Sequence, residues 1–169
     1  MLSYTTVIEK YAKQYEMSEY VSLIQAVMMQ ENGGKGTDPM QASECPYNTK
    51  YDKKPNRIQD AEYSIDCGIH YLSDCLKEAK VSVPYDISHI SLALQGYNFG
   101  NGYIDWAVEH FGGYTRANAK IFSDDMKQKL GVSVYGDPDH VGIVEKIENR
   151  KVYTIEGNRK DECKEKLLN

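Results

Sequence analysis

Between Glu19 and Gly34 the chain reads EYVSLIQAVMMQENGG, and no stretch limits the possible folds more. Its middle is almost continuously apolar, so as a helix it must be surrounded by other elements, and Gly33 with Gly34 supply a stop in the left-handed region. The spacing predicts a central helix ending at Glu31. Packing must come from neighbours of the same kind. Residues 5 to 16 place Val7, Ile8, Tyr11, Ala12 and Tyr15 at helical spacing, with Thr5 or Thr6 available as a cap. Residues 59 to 80 repeat the pattern with Ala61, Ile65, Ile69, Leu72 and Leu76, and Pro84 follows the break. Further helices are predicted near 87 to 97, 102 to 111 and 115 to 130, the last with Thr115 as N-cap. They are separated by Gly and Asn signals at Gly100 to Gly102 and at Gly112 to Gly113. From Gly33 to about Arg57 the chain is rich in Gly, Pro, Asn, Asp and Lys, which reads as a long irregular loop able to carry function.

The character changes near the end. HVGIVEKI and KVYTIEG are β-rich runs flanking Glu148, Asn149 and Arg150, which is the pattern of a hairpin, and RKDECKEKLLN is charged enough to be a frayed helix or disordered. The fold class expected is therefore mainly α, with a short C-terminal β-hairpin. At 169 residues the chain has room for one domain with a core plus a tail. A net charge of −5 argues against nucleic acid, whose phosphates are met by clustered Lys and Arg, and implies that affinity for any polyanion must come from a shaped cleft or from tethering. No stretch is long enough to span a membrane, no membrane contact is encoded, and the charged, amphipathic start does not read as an export signal. Cys45, Cys67, Cys75 and Cys163 lack the paired spacing of a zinc site, leaving buried thiols or disulfides. Fourteen tyrosines suit a groove that is both apolar and hydrogen-bonding, although core-edge packing accounts for many of them.

Glycoside hydrolysis needs a carboxylic acid kept protonated near neutral pH and, usually, a second acidic group across the sugar. Glu31 stands at the end of an apolar helix, where desolvation raises a carboxyl pKa, and Asp38 follows seven residues later in the polar loop. Taken alone, the same arrangement also describes a solvated surface, and the other role open to Asp38 is to cap the loop, its carboxylate accepting backbone N–H bonds.

The segment QENGGKGTDPMQASE, followed by SLALQGYNFGNGYIDWAVEHFGGYTRANAKIFSD, resembles the lysozyme-like domain of CwlT-type muramidases of Gram-positive bacteria and their conjugative elements. The second block is also similar to the YNxGxG feature of lytic transglycosylases. The similarity runs from about Tyr4 to about Gly136. It implies that Glu31 is the catalytic acid and that Asp38 is the second acidic group, with Glu44 as its replacement or with no second carboxylate at all, as in relatives that use the substrate's N-acetyl group. It places Gln41, Ser43 and Glu44 on the floor of a cleft as sugar contacts, and Tyr97 and Asn98 over that cleft, where Tyr97 orients the acid. Packing in the core is the other reading of Tyr97. Tyr103 and Trp106 follow at helical spacing, at least one of them as core. Cys45 and Cys67 fall on positions like the family's, where a bridge would stiffen the cleft loop in an exported protein.

PDHVGIVEKIENRKVYTIEGN in turn resembles the second half of a CHAP-type cysteine amidase or endopeptidase, with His140 in the place of the base and Glu156 or Asn158 in that of its orienting partner. The upstream helix carrying a nucleophilic Cys is missing, and Cys163 comes after His140. The tail reads as a fragment joined near Gly136 to Asp139, giving a lysozyme-like domain over 1–137 and a partial CHAP-like hairpin with a charged tail over 138–169. These resemblances imply a monomeric, extracellular or wall-associated N-acetylmuramidase acting on peptidoglycan glycan strands with no metal and no cofactor. The rivals are a lytic transglycosylase giving 1,6-anhydro ends, and a peptidoglycan-binding remnant without activity.

Overall fold

A computed structural model of the chain describes residues 4–129 and, beyond them, the backbone of three strands; residues 1–3, 130–140, 149–150, 158–163 and 169 lie outside the described residues. Six helices are present among the described residues: α1 (Thr5–Gln14), α2 (Val21–Asn32), α3 (Ala61–Glu78), α4 (Ile87–Phe99), α5 (Gly102–Phe111) and α6 (Arg116–Lys129). Single 3-10 turns occupy Ser18–Tyr20 and Ala42–Glu44. The chain divides into two compact units, Met1–Asp74 and Cys75–Asn169, with the division falling inside α3. The expected boundary at 137/138 lies outside the described residues.

In the first unit the apolar positions anticipated from periodicity form the core. Ile8 and Ala12 of α1, Leu23, Ile24, Val27 and Met28 of α2, and Ile65, Ile69 and Leu72 of α3 are all buried. Neither Thr5 nor Thr6 caps α1; Tyr4 stands at the N-cap without a side-chain hydrogen bond, because helical geometry has already begun at Thr5. Helix α3 is capped instead by Asp60, whose Oδ1 accepts from the backbone N–H of Glu62 at 3.0 Å and of Tyr63 at 3.3 Å.

In the second unit, Ile90, Leu92 and Ala93 of α4, Tyr103, Ile104 and Ala107 of α5 and Ala119 of α6 are buried. Gly96 allows the close approach of α4 and α5: a Cβ there would lie 2.5 Å from Ile104 Cδ1. Thr115 does cap α6. Its Oγ1 accepts from Asn118 N–H at 3.1 Å while Asn118 Oδ1 accepts from Thr115 N–H at 3.0 Å, a reciprocal box that satisfies two backbone donors.

The hairpin forms as expected, β1 (Val141–Glu148) pairing antiparallel with β2 (Lys151–Gly157). The charged tail departs from expectation. Lys164–Leu168 is neither helix nor coil but a strand, β3, paired antiparallel with β2, since β2 offers a second edge whose backbone groups need partners. His140, Asn158 and Cys163 lie outside the described residues, and Glu156 falls on β2 opposite Gly142. Among the described residues no helix is long and apolar enough to cross a membrane.

Candidate active site

Helix α2 carries Glu31 in its final turn. The helix stops where Gly33 turns left-handed at φ 60°, with Gly33 N–H bonded to Met29 O at 3.1 Å and Gly34 N–H to Met28 O at 3.4 Å, so the last carbonyls are satisfied and the chain leaves at a fixed angle. Glu31 is half-buried there, one residue before the helix ends at Asn32. Burial, and then the negative charge of Asp38, push its carboxyl from an ordinary 4.5 up to about 7. A carboxyl so placed holds a proton at neutral pH and can give it up, which is what a general acid must do.

Asp38 is 3% exposed and bound on every side. Its Oδ1 accepts from Ala42 N–H at 2.9 Å and from the Ser64 hydroxyl at 2.6 Å, and its Oδ2 from Ser43 N–H at 3.2 Å and the Ser43 hydroxyl at 2.6 Å. A carboxylate has about four lone-pair sites, and four donors fill them. This geometry leaves Asp38 no acceptor position from which to take a proton from water. What it offers is a fixed negative charge beside Glu31.

Ser43, expected as a sugar contact, is 1% exposed and spends its hydroxyl inside the protein. It donates to Asp38 and accepts from Arg57 N–H at 2.8 Å and Ile58 N–H at 2.9 Å, so it cannot also reach a ligand. Gln41 sits at φ 48° and is half-buried, with its amide nitrogen donating to Asp38 O at 3.2 Å and to Asn56 Oδ1 at 2.9 Å. Glu44 is exposed at the end of the same 3-10 turn. The first unit thus carries Glu31 at the end of α2 and Asp38, Gln41 and Glu44 on the loop that follows it. Tyr97, half-buried, and Asn98, exposed, occupy the last turn of α4 in the second unit. Tyr103 is core, fully buried with its hydroxyl donating to Asn118 Oδ1 at 2.8 Å, and Trp106 is half-buried.

Two residues that hold this site were missed. Ser64, fully buried in the first turns of α3, donates to Asp38 and accepts from Met40 N–H at 3.2 Å. Asn48, also fully buried, accepts from the N–H groups of Lys50 at 3.3 Å and Tyr51 at 3.0 Å and donates to Ser43 O at 2.6 Å and Tyr51 O at 3.1 Å. For Asn48 the available signal was a turn-forming residue in a polar loop, and for Ser64 a small polar residue beside the apolar face of a helix; neither states burial.

The bridge implied for Cys45 and Cys67 is absent. Both are free thiols and both are buried, as is Cys75. Cys45 and Cys67 meet through a hydrogen bond that lowers the Cys45 thiol to about 7 and, together with burial, raises that of Cys67. Among the described residues no group of three or more His, Cys, Asp or Glu is arranged to hold a metal ion.

A family model described as Lysozyme-like matches residues 1–160. The chain belongs to the lysozyme-like family. This lysozyme-like chain is 37% identical over 158 residues to the bifunctional muramidase/DL-endopeptidase CwlT of Bacillus subtilis, an alignment covering 92% of the chain and 44% of that protein. It is 36% identical over 129 residues to the uncharacterized membrane protein YocA of Bacillus subtilis, covering 76% and 53% respectively. It is 32% identical over 123 residues to a pneumococcal vaccine antigen A homolog of Streptococcus pyogenes, covering 73% and 57%. The chain spans about half the length of these curated relatives. Among solved structures, a Staphylococcus aureus protein described as similar to lipoprotein, NLP/P60 family, superposes with a TM-score of 0.63 at 34% identity over 82% of this chain and 43% of that one.

Proposed function

We propose that this lysozyme-like chain is a peptidoglycan hydrolase that cuts glycan strands at the β-1,4 bond between N-acetylmuramic acid and N-acetylglucosamine, outside the cell or at its wall. The observation that carries the reading is the half-buried Glu31, raised to about 7 on the last turn of an apolar helix. Glu31 protonates the glycosidic oxygen as the bond breaks and positive charge grows on the sugar. Asp38 contributes by raising the proton affinity of Glu31, and the muramidase named among the relatives supplies the substrate class. Gln41 and Glu44 are the sugar contacts on the first unit; Tyr97 and Asn98 are proposed as contacts from the resemblance of the YN pair.

One observation favours a second outcome of the same cleavage. With all four acceptor sites of Asp38 filled, Asp38 does not act as a second base, which suits a transglycosylase route in which Glu31, once deprotonated, takes the proton of the muramic 6-hydroxyl and a 1,6-anhydro ring closes. Mass spectrometry of purified peptidoglycan after digestion separates the two. Muramidase products carry reducing muramic ends, anhydro products lack one water, and a digest with neither kind of new end refutes glycan cleavage.

A further inference from the structure

Gln41 and Asn56 both hold left-handed backbone, at φ 48° and 58°, a region that residues other than glycine enter at a cost. They stand 15 residues apart in the loop between α2 and α3, and the Gln41 amide nitrogen donates to Asn56 Oδ1 at 2.9 Å. The buried polar interior of the loop sets them side by side. Asp38 accepts from the N–H of Ala42, next to Gln41, and the Ser43 hydroxyl accepts from the N–H of Arg57, next to Asn56. The same Gln41 nitrogen donates to the backbone oxygen of Asp38 at 3.2 Å. A backbone oxygen can only accept, so the nitrogen and oxygen of this carboxamide cannot change places. Gln41 Oε1 meets no donor among the described residues, and it is not one of the buried atoms left without a partner, so it reaches solvent as an acceptor held in a fixed direction.

We infer that Asn56 is a positioning residue for Gln41: it locks the carboxamide so that Oε1 accepts the N–H of the 2-acetamido group of a glycan sugar. The inference rests on the proposed glycan-cutting role for its ligand, while the lock itself is a property of the free protein. An acceptor already fixed in place loses little freedom when a donor arrives, which is what makes it selective for a sugar that carries an N–H there. Glycine would hold φ 58° without strain, so the backbone alone does not call for the Asn56 side chain. What that side chain adds is the acceptor for Gln41.

The test follows the side-chain amide resonances of Gln41 by 15N NMR in the wild type, N56G and N56D. Three probes are titrated in: the β-1,4 tetramer of N-acetylglucosamine, the glucose tetramer with hydroxyls in place of the acetamido groups, and a stem peptide without sugar. N56G relieves the backbone and removes the acceptor, whereas N56D keeps an acceptor at the same place, so a residue that merely shapes the turn and one that positions Gln41 predict opposite orders. The expected result is an acetylated tetramer bound about tenfold more weakly by N56G and within about twofold of the wild type by N56D. The wild type is expected to favour the acetylated over the glucose tetramer by about tenfold, and N56G to lose most of that preference. Thermal melts run alongside report folding. N56G binding with wild-type affinity overturns the inference. So does a wild type whose Gln41 resonances stay unmoved by the acetylated tetramer or move only with the stem peptide, and that measurement decides even where a variant fails to fold. A wild type that binds as expected but releases no new glycan ends would sink the proposed function and leave the lock standing; one that releases them while N56G binds normally does the opposite.

Discussion

At Glu31 the fold sets proton affinity against its own stability. A carboxyl whose folded pKa is raised binds its proton more tightly in the native state than in the unfolded chain, so stability is highest below about pH 4.5 and falls as pH rises to about 7, where the native carboxyl must ionise in place. E31Q removes that titration. The variant is expected to match the wild type in unfolding free energy near pH 4 and to exceed it near pH 8, by a margin on the order of 3 kcal/mol, with melting temperatures ordered the same way. Equal melting temperatures at both pH values would mean that the carboxyl is not strained in the native state. Glu31 was legible in the sequence because an apolar helix running into Gly33 and Gly34 states both its burial and its position. The loop-capping role of Asp38 was legible too, as the N–H groups of Ala42 and Ser43 bear out, but its burial was not. Acidic residues in polar loops usually face solvent, and only the converging donors of Ala42, Ser43 and Ser64, the last of them 26 residues away, turn it inward.

Among the elements, the helices followed from their apolar spacing, and their ends followed where a specific side chain makes the cap. Thr115 at the start of α6 is such a case, and α1, which begins without a side-chain cap, is where the expectation failed. The loop between α2 and α3 was readable as irregular but not as built. Its interior is polar: Asp38, Ser43 and Asn48 are buried and bind backbone groups that no sheet or helix satisfies, beside the buried apolar Met40 and Ile58. Such a loop gives no periodic signal, since its order comes from side-chain to backbone bonds rather than from a repeating face. The helix pair α4 and α5 makes a sharper prediction. Their contact depends on the missing Cβ of Gly96, which would otherwise sit 2.5 Å from Ile104 Cδ1 and 2.6 Å from its Cγ1. G96A is therefore expected to destabilise by about 1–3 kcal/mol despite the better helix propensity of Ala, measured by denaturant unfolding. A neutral or stabilising result would show that Ile104 can turn aside.

For the whole molecule, membership of the lysozyme-like family agrees with a mainly helical chain, and the proposed reaction rests on the chemistry of Glu31 and the loop of the first unit. The tail was the least readable part. Its hairpin announced itself through alternating apolar residues and a turn, while β3 did not, because Lys164–Leu168 is chosen by the edge of β2 rather than by its own pattern. A chain with net charge −5 has little long-range pull toward an anionic wall, so the proposed activity would depend on the local acid more than on attraction. The most direct test digests purified peptidoglycan with the wild type and E31Q across pH 5 to 9, reading soluble fragments with new glycan ends. The account predicts release that declines as pH rises through about 7, where Glu31 loses its proton, and that falls by about 10²–10⁴-fold in E31Q at every pH. Release that climbs steadily through that range, or an E31Q variant that cuts as fast as the wild type, would contradict it.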